Sequence, residues 1–298
     1  MQKPTAFRHL GLLFLVLAAR SLAGETPRQE PAHNCLWRVS GESNCVYLLG
    51  SIHLLKSEHY PVSVPISKAF LDSRVLVLEI DLGGATNSAT QVHLFSKGML
   101  SGTSTLQRIL SPATFDLASR RTKELGLDIS LFNGFKPWYF VMTLTMLKLQ
   151  KLGFDPMDGI DWHFYRQARQ YERKVIGLET LDEQIGLFDS VSVAEQEQLV
   201  QQTLRDFDVV DKDMNRIYQA WRTGDVAGLE KTLLKSFEEY PRIYNLFVVN
   251  RNRKWLPRFE SFLKDSDNYL VVVGAGHLAG KDSLVKLLQK KRYKVEQL

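Results

Sequence analysis

Tyr47-Leu48-Leu49-Gly50-Ser51-Ile52-His53 and Val271-Val272-Val273-Gly274-Ala275-Gly276-His277 are two copies of one pattern, an apolar strand running into Gly-x-x-His. In each copy the glycine stands where the strand must end, and a residue without Cβ lets the backbone turn sharply over the sheet edge. The histidine three residues on can then point back across the strand end. Open α/β sheets bind ligands beyond the carboxyl ends of their strands, so the two loops are expected to converge on one pocket.

Working outward from the first copy, Cys35 to Ser40 and Asn44 to Gly50 read as a hairpin around Gly41-Glu42, with Ser40 facing Ser43 and Cys45 facing Arg38. Pro65 opens a short helix carrying Ile66, Ala69 and Phe70, and Val75 to Leu82 forms the next strand. That strand is apolar on both faces except at Glu79 and Asp81, as a buried central strand should be. A carboxylate there needs a partner, and Asp81, two residues on, is expected to share the face of Glu79 and either to hold the partner or to lie at the rim. Around the second copy, Tyr269 to Val273 is a strand, Lys281 to Lys290 a helix and Tyr293 to Gln297 a last strand.

Between the copies the pattern is helical, with one short strand at Lys174 to Leu178. Ser111-Pro112 reads as an N-cap and first-turn proline, and Gly126 stops that helix. Pro137 opens a helix with Trp138, Tyr139, Phe140, Met142, Leu144, Met146 and Leu147 on nearly all sides, which favours a buried core helix over a groove lining. Another helix starts near Asp158 and runs to about Tyr171. A long helical region from Leu181 to about Leu263 breaks near Ser190, Gly224 and Tyr240-Pro241. The expected fold is therefore α/β, a two-halved sheet formed by N- and C-terminal strands, with a large helical middle (about 83–265) covering one edge. It forms a single domain over residues 35–298.

Residues 1–23 read as a signal peptide. Lys3 and Arg8 supply the positive start, Leu10 to Ala19 the apolar run, and Ser21-Leu22-Ala23 a small-x-small cleavage site. The apolar run is too short to span a bilayer, and residues 24–34 form a polar leader. The expectation is a periplasmic or secreted protein with no transmembrane segment in its mature chain. Of the formal charge of +5, Lys3, Arg8 and Arg20 supply three and no acid precedes residue 24, which leaves +2 for residues 24–298. With only the short basic clusters Arg251-Asn252-Arg253-Lys254 and Lys290-Lys291-Arg292, nucleic acid is not an expected partner. Cys35 and Cys45 would suggest a disulfide in an oxidising compartment. The hairpin register separates them and sends them to opposite faces, so both are expected to be free and buried.

His53 and His277 are the first candidates for chemistry, since neutral imidazole is a common ligand of first-row metals and titrates near neutral pH. Glu79 lies late in its strand, near the end where His53 should be, and could ligate an ion or take a proton from its water. Arg251 precedes a helical stretch that ends just before the last central strand, and could hold a carboxylate or steady an oxyanion. Asp161 and Glu179 sit at a helix start and a strand end; Asp161 is expected to serve the helix N-terminus. Gly274-Ala275-Gly276-His277-Leu278-Ala279-Gly280 is one residue longer than a dinucleotide fingerprint, and only 18 residues follow it, too few for the rest of that unit.

With these residues in view, the chain resembles the TraB/GumN family, which takes in pheromone-shutdown proteins and the animal Tiki proteins. The resemblance runs over nearly all of the chain after the leader. It rests on Leu36-Trp37-Arg38-Val39, the two Gly-x-x-His stretches, Leu78-Glu79-Ile80-Asp81, Gly159-Ile160-Asp161, Gly177-Leu178-Glu179-Thr180 and Arg251-Asn252 with Trp255. Ser51 stands where the family more often has threonine. The resemblance implies a two-halved α/β fold shared with erythromycin esterases and haem-binding ChaN proteins, and a site made of His53, His277, Glu79 and Arg251. Tiki proteins are divalent-metal-dependent proteases, which implies an exported metallopeptidase-like hydrolase acting on a peptide or another small hydrolysable substrate. The alternatives are a metal-free, histidine-assisted esterase, a haem- or iron-binding protein, and a silent accessory factor in envelope or polysaccharide assembly.

A catalytic zinc site usually has three protein ligands and a water. Here His53, His277 and Glu79 are the expected ligands. If Glu79 is not among them, Asp161 or Glu179 helps, or the ion is held loosely with extra waters, which suits manganese or cobalt better than zinc.

Overall fold

The computed structural model describes residues 33–85, 87–234, 237 and 240–298. The signal peptide expected at 1–23 and the leader up to residue 32 lie outside the described residues. Six strands form one sheet: β1 (Leu36–Ser40), β2 (Cys45–Ser51), β3 (Val75–Leu78), β4 (Lys174–Gly177), β5 (Tyr269–Gly274) and β6 (Val295–Gln297), in the order β4-β3-β5-β2-β1-β6. β2, β5, β3 and β4 run parallel, and β1 lies antiparallel between β2 and β6. All residues of β2 and β3 are buried, as apolar runs in a sheet covered on both faces must be. β5, from the C-terminal part of the chain, thus inserts between β2 and β3. Its register with β2 sets Ser51 beside Gly274, so the two Gly-x-x-His loops leave the sheet side by side.

The α/β fold expected from the sequence is the one observed, with four corrections of detail. The hairpin turns through Gly41 to Asn44, with Ser40 opposite Cys45. Asn44 is drawn out of the strand because its side-chain amide donates to Phe262 O (2.8 Å) and Asp267 O (2.6 Å). Cys45 therefore faces Ser40 rather than Arg38, and both cysteines are free and buried. β3 ends at Leu78, four residues earlier than expected, because Asp81 turns the chain by accepting from Gly83 N at 2.8 Å. Asp81 is exposed at the rim. The long helical region carries a further break at 207–209 and a π-helical turn at Asn245–Val249, just before the helix Asn250–Phe262 that bears Arg251.

The helix Pro137–Lys151 is apolar all round because it meets three surfaces. Trp138 and Leu149 belong to the core around the sheet. Phe140, Val141 and Leu144 belong to a second core shared with the helices Pro112–Glu124 and Val193–Asp206. Met142 and Met146 face a cavity above the carboxyl ends of the central strands. Both readings offered for this helix apply, on different faces.

Candidate functional site

The cavity encloses about 360 Å³ and is floored by the ends of β2, β3 and β5. His53, Glu79, Arg251 and His277, picked out from the sequence, all line it. A β-carbon at Gly274 would stand 3.2 Å from His53 Nε2, 3.3 Å from Glu79 Oε1 and 3.7 Å from His277 Cδ2, so glycine leaves open the space on which the three groups converge.

The His53 loop is pinned to the start of the helix Ile160–Gln170. Ile160 N donates to Ile52 O at 3.1 Å, and a β-carbon at Gly159 would lie 2.2 Å from His53 O. This contact delivers Asp161 to the histidine: Asp161 Oδ2 lies 2.7 Å from His53 Nδ1 and also accepts from Ser51 Oγ. Asp161 stands in the first turn of its helix, as expected, and also serves His53. Burial opposes the charged imidazole, but the adjoining Asp161 carboxylate prevails and His53 is raised to about 9. Nδ1 carries its proton toward Asp161, and Nε2 faces the cavity, where 42% of the side chain stays open.

His277 is the opposite case. Asn252 is fully buried and donates its amide to His277 O (3.3 Å) and Asp282 O (2.9 Å), which turns Oδ1 toward His277 Nδ1 at 2.7 Å. Nδ1 is therefore the protonated nitrogen, and Nε2 accepts from Arg251 Nη1 at 3.0 Å. Burial first, then the Arg251 charge, push His277 down to about 3, so it is neutral at physiological pH.

Glu79 follows the last residue of β3, and its carboxylate is fully engaged. Oε1 accepts from Gly274 N (2.7 Å); Oε2 accepts from Gln184 Nε2 (3.1 Å) and from Arg251 Nη2. Burial works against its ionisation, yet Arg251, the two histidines and the Gly274 N–H together hold it well below the usual carboxylate range. A carboxylate so stabilised is a weak proton acceptor. Arg251 is fixed in turn by Glu179, whose Oε1 lies 2.6 Å from Nη2 and 3.1 Å from Nε. Its guanidinium lies over the Trp255 ring at 4.6 Å. Glu179 and Asp161, the two possible extra ligands, are thus tied to Arg251 and His53.

The sequence reading assigned no role to Gln184 or Asn252. Asn252 follows Arg251 directly, in a stretch the family resemblance picked out, but nothing local marks its contact with His277. Among the described residues, no group of three or more His, Cys, Asp or Glu side chains stands ready-made around a metal position, and no helix is long and apolar enough to cross a membrane.

Comparison with known proteins gives two curated relatives of one kind, each "Uncharacterized protein YbaP", from Escherichia coli (strain K12) and Shigella flexneri. Each is 24% identical over 246 residues, which is 82% of this chain and 87% of the relative. No solved structure matches. Residues 35–297 match the sequence model of the TraB/PrgY/gumN family, which spans both histidine loops and nearly every described residue. The chain belongs to the TraB/PrgY/gumN family.

Proposed function

We propose that this is an exported, metal-dependent hydrolase of the metallopeptidase kind, with His53 Nε2, His277 Nε2 and Glu79 Oε1 as the groups that would hold a divalent ion. The observation that carries the reading is the convergence of these groups over Gly274, with each histidine anchored through Nδ1, to Asp161 and to Asn252. Metal-binding histidines almost always donate their other ring N–H in this way. One sulfur-free carboxylate and two imidazoles fit manganese, cobalt or zinc. When bound, such an ion polarises a carbonyl and brings the pKa of a coordinated water toward about 7.

The side chains divide the remaining work. Glu79, ionised at neutral pH, contributes fixed negative charge, and its low basicity suits it to holding a cation better than to the proton-accepting role the sequence suggested. Glu179 and Gln184 keep Arg251 and Glu79 in place. His277 has one Nε2 lone pair, which now accepts from Arg251 Nη1; were that lone pair to hold an ion, the Arg251 N–H would be left to face a developing oxyanion. Manganese-supplemented protein incubated with a mixture of unstructured peptides, followed by mass spectrometry, should yield discrete cleavage products that Glu79→Gln abolishes without unfolding. Retained turnover in that variant would remove Glu79 from the site chemistry, and no cleavage by the wild type would remove the peptidase reading.

The metal-free esterase reading draws support from the Asp161–His53 pair, which resembles the base half of a catalytic triad. A histidine raised to about 9 is protonated at neutral pH. That reading therefore requires a chelator-resistant activity that rises with pH toward 9, whereas the metal reading requires loss of activity in chelator.

A further inference from the structure

The cavity has two unlike sides. Its ionisable lining residues, gathered at the floor end, form two bonded groups: His53 with Asp161, and Glu79 with Arg251 and His277. Beyond Asp161 and Arg251, which belong to those groups, and Trp162, the helical middle lines the cavity with apolar side chains and with Gln184, whose amide is already donated to Glu79 and Glu179. His53 Nε2 faces the cavity beside Gly274, whereas among the described lining residues the apolar side chains of the helices carry no charge to meet one borne by a ligand. Met142 and Met146 are only half-buried, although Phe140 and Leu144 of the same helix are fully buried. Two flexible thioethers thus leave apolar surface open toward the cavity that holds the reactive groups, in a space within the roughly 300–1,000 Å³ range of small-molecule sites.

We infer that this chamber takes an uncharged, apolar acyl group of the substrate against Met142, Met146, Phe188, Ile217, Phe237 and Phe247, and excludes a charged one. An ionised group seated among these described side chains loses its hydration and meets no counter-charge from them, whereas an alkyl or aromatic group gains by leaving water. The bond to be broken is then one whose acyl side is apolar and distant from any free carboxylate. The inference rests on the hydrolase reading only in placing that bond over Gly274.

The test measures binding, so turnover is not needed. Wild-type protein is titrated with the neutral dye N-phenylnaphthylamine. The dye is then displaced by methyl octyl ketone, which cannot be hydrolysed, or by the analogue with a carboxylate in place of the far methyl of the octyl chain. The ketone should displace the dye at a concentration at least about tenfold lower than the keto acid. Met146→Lys should shift that ratio at least about tenfold toward the keto acid, a gain that a misfolded chain does not produce. Equal potency of the two compounds on the wild type, absence of saturable dye binding, or an unchanged ratio in a folded Met146→Lys protein would overturn the inference. Absence of peptide cleavage with the wild-type preference intact would instead overturn the hydrolase reading alone.

Discussion

Replacing Arg251 with Met removes a guanidinium shared by two buried carboxylates. Glu79, Glu179 and Arg251 are 7%, 8% and 9% exposed, and one guanidinium serves both carboxylates. Methionine keeps much of the arginine's apolar stem but leaves two buried carboxylates without the guanidinium they share. Removing one partner of a buried pair costs about 3–5 kcal/mol. At about 2–4 °C per kcal/mol for a chain approaching this size, Tm at pH 7 should fall by roughly 6–20 °C. The sign of the pH dependence follows from Glu79. Its folded-state pKa is depressed from an ordinary 4.5, so it contributes stability above that pH, which is lost as pH falls through the folded value. The variant lacks this contribution, so the gap between the two proteins should be widest near pH 7 and narrow below about pH 4.5. Scanning calorimetry of metal-free proteins at both pH values reads it directly. A Tm within 2 °C of wild type at pH 7, or a gap that does not shrink in acid, would refute the reasoning.

Three further outcomes follow from individual contacts. Asn252→Leu removes the acceptor that fixes the His277 tautomer, and should weaken manganese binding by about 10–100-fold in calorimetric titration; unchanged affinity would contradict that role. Asp161→Asn in metal-free protein should lower the His53 pKa from about 9 by more than one unit, followed by NMR of the imidazole. Because the wild-type value lies above 6.5, its contribution to stability is complete below that pH and lost as pH rises through about 9, and the variant should lack this alkaline loss. Gly159→Ala drives a β-carbon against the His53 carbonyl at 2.2 Å, backbone that cannot swing away. It should cost about 1–3 kcal/mol in urea unfolding, and a neutral effect would mean the two loops are not locked together.

The parts of this site that were legible beforehand are those written in local sequence. Each Gly-x-x-His closes its own strand, so the positions of His53 and His277 follow from a seven-residue window. Glu79 stood out as a carboxylate in an apolar run. The supporting partners were not legible, because each arrives by packing across a long stretch of chain. Asp161 reads locally as a helix-start acid and becomes the partner of His53 only because Gly159 lies against the His53 carbonyl. Gln184 reads as the polar face of a helix and reaches Glu79 from 105 residues away. The hairpin register failed for the same reason: Asn44 looks like a strand residue until the 262–267 turn, more than 200 residues distant, captures its amide. Periodicity could not assign one face of Pro137–Lys151, since different faces meet the two cores and the cavity.

The most direct test of the central claim, that the two loops form one ion-binding site, is metal content. Wild type and His53→Ala/His277→Ala are dialysed in turn against manganese, cobalt and zinc, then against metal-free buffer, and assayed by plasma mass spectrometry. The expected result is close to one ion per chain in the wild type for at least one metal and none in the double variant. Equal content in both proteins, or none in either, would contradict the account.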